Sequence, residues 1–208
     1  DKRLHMEYRL EKNKRILKCN FKNFLDGKTL RANITLQQPD MDTMVIATPW
    51  DQKHAFYYNQ KIIGMRASGE VEYCGKKYFF EPKKSFGLLD WGRGVWTYEN
   101  TWYWGAAQGA IAQHVVGFNI GYGFGDTSRA TENMLFVDGK AHKLDRLSFN
   151  IPVDENGREK YLEPWTFTSC DGRFEMEFTP ILDRAACIHI YRGILTFEIS
   201  LLNCVHTR

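Results

Sequence analysis

Asp90 and Arg93 lie in the stretch LDWGRG, between Trp91 and Trp96 and beside Gly92 and Gly94. Burial of a carboxylate among indoles disfavours its charged form unless a cation compensates, and an arginine three residues away across a glycine-rich bend is such a cation. Two readings follow. The pair is a structural ion pair that fixes the bend, or Asp90 is a general acid in a cavity, able to protonate a double bond or an epoxide. Trp102 and Trp104 follow closely, so Phe86–Gly109 holds four of the six tryptophans of the 208-residue chain. Such a cluster is either solid core or the apolar wall of a ligand cavity.

A second candidate region is NIGYGFG, Asn119–Gly125. Read as a strand, it puts Gly121, Gly123 and Gly125 on one face, free of side chains, where the indoles of Trp102 and Trp104 could lie or a ligand could rest. The spacing is not a nucleotide fingerprint, because no helix follows to meet a phosphate. The polar loop after it, Asp126–Asn133, gathers Asp126, Arg129, Glu132 and Asn133. Polar groups at a barrel mouth often orient a ligand, and the same residues also make ordinary turn hydrogen bonds. Asp183 and Arg184 form a further acid–arginine pair, read as structural. The six histidines are isolated and show no metal-binding spacing, although His114 lies close enough in sequence to the tryptophans to be a candidate for proton transfer. No nucleophile motif, metal set or cofactor motif is present, so no cofactor is expected.

The elements that must position these residues read mostly with period two. In Arg173–Phe178 the apolar Phe174, Met176 and Phe178 alternate with charged residues, the pattern of a half-buried antiparallel strand. Glu132–Val137 and Lys140–Phe149 flank Asp138-Gly139, and Glu70–Tyr73 and Lys76–Phe80 flank Cys74-Gly75. Both are hairpins with turn residues suited to positive φ. Tyr8–Leu25 admits a helical reading through Leu17, Phe21, Phe24 and Leu25. The alternation of Leu17, Cys19 and Phe21 with Lys18, Asn20 and Lys22, closed by Asp26-Gly27, favours a strand. Asp154–Glu163 is a polar connecting loop, and Ile194–Leu202 reads as a last strand before an unpatterned tail.

Composition bounds the rest. Hydrophobic residues make up 43% and aromatics 14% of the chain, and no apolar run is long enough to span a bilayer. Residues 1–31 hold ten Lys/Arg against four Asp/Glu, a balance of +6, so the remainder carries −3 within a total of +3. A basic entry segment could bind phosphates. Without aromatic interleaving it reads instead as a lysine-decorated outer strand, and no nucleic-acid partner is expected. Five scattered cysteines without a CxxC pair suit reduced thiols and a cytoplasmic setting.

Several blocks in order, ATPWDQKHAFYYNQKIIGMRASGEVEY, LDWGRGVWTYENTWYWGAAQG, GYGFGDTSRATENMLFVDGKAHKL and FTPILDR, resemble the bacterial domain of unknown function 2804 family over about Ala47–Arg184. That pattern is in turn distantly similar to the lipocalin-like domains of carotenoid hydratases and tocopherol cyclases, β structures that hold hydrophobic ligands. The resemblance implies a fold, not an activity. Family members look longer at the N-terminus, and this chain begins at Asp1 with no initiator Met, so the resemblance implies a shortened N-terminus. IYRGILTFEISLLNCVHTR does not resemble the closing strand of the family.

The expectation is an all-β, antiparallel lipocalin- or calycin-like barrel or paired sheets, as a single domain over residues 1–208. Its leading function is the binding of an apolar small molecule such as a lipid, isoprenoid or polyene. In that reading Trp91, Trp96, Trp102 and Trp104 supply apolar wall, Gly121 and Gly123 a smooth floor, and Arg93, Glu132 and Asn133 polar orientation. The alternatives are a cofactor-independent hydratase, isomerase or cyclase with Asp90 as general acid, and a purely structural or interaction domain. Both ligand readings call for a cavity of roughly 300 Å3 or more near the tryptophans.

Overall fold

The computed structural model describes residues 2–182, which contain strands and no helix. Among these residues every strand pairing is antiparallel, and no closed barrel is found. The chain divides into two compact units, Asp1–Lys143 and Leu144–Arg208.

The first unit opens with β1 (Leu4–Glu11), β2 (Lys14–Leu25) and β3 (Lys28–Gln37), a meander. Tyr8–Leu25 is therefore strand, interrupted by a turn at Lys12-Asn13 that its charge-rich sequence hides. The Asp26-Gly27 turn has φ of 49° and 72°, the positive pair a two-residue hairpin requires. The basic segment is spread over β1 to β3 rather than forming a lysine-decorated outer strand. Edge strand β1 itself holds Arg9 with Glu7 and Glu11, and these two carboxylates pair with Arg9 and with Lys14 and Lys18 of β2.

Next come β4 (Met44–Pro49), β5 (Phe56–Tyr73), β6 (Lys76–Phe80) and β7 (Phe86–Val95). The 18-residue β5 is the spine of this seven-stranded sheet. Its second half pairs with β3 and β6, and its first half with β4 and β7. The register between β5 and β7 slips between Ile62 and Met65, where Gly64 has φ of 89°. One extra residue there re-aims the side chains, as bulges do.

A four-stranded sheet follows: β8 (Tyr103–Ile111), β9 (His114–Tyr122), β10 (Met134–Val137) and β11 (Lys140–Lys143). Met44 and Ile63 of the larger sheet pack with Phe136 of the smaller, joined by Ile46, Leu88, Ala106 and Met134. This cluster is the apolar seam between the two sheets. A second cluster, Leu36, Ile62, Met65 and Ala67 with Leu17, Ile34 and Leu89, belongs to the larger sheet alone.

The second unit holds β12 (Leu147–Asn150), β13 (Trp165–Ser169) and β14 (Glu175–Phe178). Its core rests on Leu147, Trp165, Phe167 and Phe174, with Phe149 stacked edge-on to Phe167 at 4.6 Å. Met176 alternates with exposed Glu175 and Glu177, as the pattern requires. The expected strand Lys140–Phe149 is in fact two, β11 and β12, in different sheets. Leu144 between them is fully buried, and no glycine or proline announces the break. Asp154 caps its own loop by accepting from the amides of Asn156 and Arg158. Asp183, Arg184 and the expected strand Ile194–Leu202 lie outside the described residues.

Candidate functional site

The face of β5 that carries Tyr57, Asn59, Lys61 and Ile63 turns toward the smaller sheet, because Ile63 belongs to the seam. Register places Lys61 opposite Asp90, Asn59 opposite Gly92 and Tyr57 opposite Gly94. Each pair projects to the same side of the sheet. Lys61 accordingly donates from Nζ to Asp90 Oδ1. The Lys61 side chain is 4% exposed and that of Asp90 40%.

The expected pairing of Asp90 with Arg93 is corrected. LDWGRG is not a bend but the middle of β7, so residues three apart fall on opposite faces. Arg93 and Trp91 share the far face, with Tyr58 and Gln60 as their cross-strand neighbours, and Trp91 meets the Tyr58 ring edge-on at 6.1 Å. Neither adjoins Asp90's partners.

From the smaller sheet, Trp104 of β8 completes the group. Its ring lies 4.7 Å from Lys61 Nζ, a cation–π contact, and its Nε1 donates to Asn119 Oδ1 at 2.8 Å. Asn119, fully buried on β9, donates from Nδ2 to the Glu132 backbone oxygen and to Glu132 Oε2, both at 3.0 Å. Asn133 accepts from the Gly121 amide at 2.8 Å. The polar chain therefore runs Asp90, Lys61, Trp104, Asn119, Glu132 without a break.

The three glycines do not share a strand face. Strand β9 ends at Tyr122, and Gly123 and Gly125 turn away with φ of 95° and 85°. Nor are they a smooth floor. A Cβ on Gly121 would come within 2.9 Å of Glu132 Oε1 and of the Tyr103 carbonyl. One on Gly123 would come within 2.7 Å of the Thr101 carbonyl, so backbone rather than indole occupies that space. Trp102 also parts from Trp104, since it precedes β8 and packs on Phe124 at 5.0 Å.

Phe124 is the hub of the aromatic group, with Trp50, Tyr57, Trp96 and Trp102 around it at centroid separations of 4.7–6.2 Å. Asn100 shapes the loop that carries Trp96 and Trp102: it accepts from Trp50 Nε1 at 3.0 Å and from the Thr97 hydroxyl. Tyr57 joins the aromatic group to the polar one. Its ring lies over Gly92, where any Cβ would collide with it. Burial, followed by the negative charges of Asp90 and Glu132, pushes its phenol up to about 12, so it keeps its proton across the neutral range.

Lys61, Asn59, Tyr57, Asn119, Trp50 and Phe124 were not singled out from sequence. The signal was present in β5, where Asn59 and Lys61 occupy alternate positions that lead into the buried Ile63, a polar interruption of an inward face. Asn59 is 3% exposed and its Oδ1 is buried without a hydrogen-bond partner.

Trp96 and Trp102 are each 51% exposed. The aromatics thus form an open surface, and the enclosed cavity beside the tryptophans that both ligand readings call for is not found among the described residues. What is left to those readings is a ligand held on that surface. A cleft of about 250 Å3 lies elsewhere, between Met41, Ile63, Val115 and Phe136 and the Asp138-Gly139 turn, and no tryptophan lines it. At its rim His114 Nδ1 meets Asp138 Oδ2 at 2.6 Å, away from the aromatic group. Among the described residues no three His, Cys, Asp or Glu side chains gather as a metal site, and no helix is long and apolar enough to cross a membrane.

No curated protein and no solved structure matches the chain. The family model described as Domain of unknown function (DUF2804) matches residues 1–191, beyond both ends of the segment whose blocks resemble that family. With nearly its whole length matched, the chain belongs to the DUF2804 family.

Proposed function

We propose that this protein binds an apolar small molecule with a polar end, of the lipid, isoprenoid or polyene class. The apolar body rests on Trp96, Trp102 and Trp104, and the polar end reaches Asp90 and Glu132, which the buried Lys61 and Asn119 hold in place. The observation that carries this reading is the half-exposed Trp96 and Trp102, held through Phe124 and Tyr57 against a buried, charged group. Large aromatics left in contact with water beside convergent polar groups are what a recognition surface requires. Trp91 and Arg93, on the opposite face of β7, take no part. Asn133 acts by holding Gly121, and Gly121 by leaving room for the Glu132 carboxylate.

A catalytic reading with Asp90 as general acid is the weaker one. Asp90 is the counter-ion of a buried ammonium, and a proton placed on it would leave that ammonium unpaired.

Titration of the indole fluorescence with retinol, farnesol and oleate tests the proposal. A saturable change is expected with at least one probe, and it should be lost in Trp96→Ala/Trp102→Ala while the circular dichroism of the sheets is kept. A flat response to all three probes, and to an amine of similar length such as n-decylamine, overturns the proposal.

A further inference from the structure

On the proposed binding reading, on which this step rests, we infer that the polar end of the ligand is a protonated amine, set between the indole faces and the Glu132 and Asp90 carboxylates. Charge is the first ground. Asp90 and Glu132 contribute two carboxylates to the polar group, and Lys61 one ammonium. A ligand carboxylate would face like charges there, whereas an ammonium offsets the surplus.

The second ground is the hydrogen-bond inventory. The Asn119 amide group donates to Glu132, and the Trp104 indole N–H donates to Asn119, so both donors point inward and are spent. Asn59 lies between Tyr57 and Lys61 on the same face of β5, opposite Gly92, and its buried Oδ1 has no partner. An uncompensated carbonyl dipole at the base of the site adds to its negative potential. The raised phenol of Tyr57 reports the same field, since after burial its causes are Asp90 and Glu132.

The third ground is a precedent inside the molecule. Lys61 already places an ammonium over an indole face and against a carboxylate. Trp102 and Trp96 offer further indole faces beside Tyr57 and Phe124, and ring faces attract cations where water is partly excluded.

The test compares three ligands of one chain length, n-decylamine, n-decanol and sodium decanoate, at neutral pH below their aggregation limits. Indole fluorescence gives each Kd for the intact chain. The amine is expected to bind roughly tenfold more tightly than decanoate, with decanol between, as charge effects in a partly exposed site allow. Glu132→Gln should narrow that gap, and raising NaCl from about 0.05 to about 0.5 M should narrow it in the unaltered protein, where misfolding of a variant is not an issue. Decanoate binding as tightly as the amine overturns the inference and leaves the binding reading standing. A gap unchanged by salt also overturns it. If none of the three binds, and retinol, farnesol and oleate are equally silent, the binding reading falls as well.

Discussion

The Lys61 ammonium is buried while the Asp90 carboxylate it contacts stands partly in solvent, so the two partners do not tolerate loss equally. Replacing Asp90 by Asn removes the charge that offsets a buried cation, and a cost of about 3 kcal/mol is expected, the lower end for a broken buried pair. Lys61→Met keeps the volume and leaves behind only a carboxylate that water can reach, so a cost under about 1 kcal/mol is expected. Urea unfolding of both variants measures the difference, and equal losses would refute this account of the pair. The same residues show what sequence reasoning could and could not reach. Asp90 was legible because an acid among tryptophans is conspicuous. Its partner was not, because Lys61 is 29 positions away and only the β5–β7 register brings them together. Arg93 was misplaced for a simpler reason: Gly92 and Gly94 suggested a bend, whereas Gly92 is there to admit the Tyr57 ring to a straight strand.

At the scale of elements, the local signals held where a turn needs a special backbone. Asp26-Gly27, Cys74-Gly75 and Asp138-Gly139 all have the positive φ that their residue types suit. They failed where packing decides, as at Leu144, whose burial ends β11 without a turn residue. The β13–β14 hairpin offers a test of turn chemistry by pH. Asp171 accepts from the Ser169 hydroxyl at 2.7 Å and from the Arg173 guanidinium at 2.7 Å, and these bonds lower its carboxyl to about 2. The folded value lies below the unfolded one, so the contribution of Asp171 is complete above about pH 4 and is lost as the pH falls through about 2. Asp171→Asn should therefore flatten the decline in stability of the second unit across that interval, followed by the fluorescence of Trp165. An unchanged decline would mean that other carboxylates set it.

For the whole molecule, the all-β, antiparallel character was readable throughout, because period-two alternation survives in most strands. Closure into a barrel was not, since it depends on which edges meet, and no closed barrel is found among the described residues. The partition into Asp1–Lys143 and Leu144–Arg208 was likewise hidden, lying in the middle of an apparently continuous strand. Residues 1–143 hold every strand of the seven- and four-stranded sheets together with the seam that joins them. Expressed alone, that segment should show a β-type circular dichroism spectrum and a cooperative thermal transition. A non-cooperative melt would show that it depends on the remainder.

The extra residue between Ile62 and Met65 carries one more consequence. It separates the half of β5 that holds Tyr57, Asn59 and Lys61 from the half that anchors β3 and β6. The bulge therefore gives this strand slack in length at that point, while buried positions such as Ile63 and the close backbone contact at Gly69 restrict its residues. Loss of one residue at the bulge would leave Ile62 opposite Leu89 and Met65 opposite Gly87 in an unbroken ladder, whereas loss of one between Tyr57 and Lys61 would turn Tyr57 to the far face.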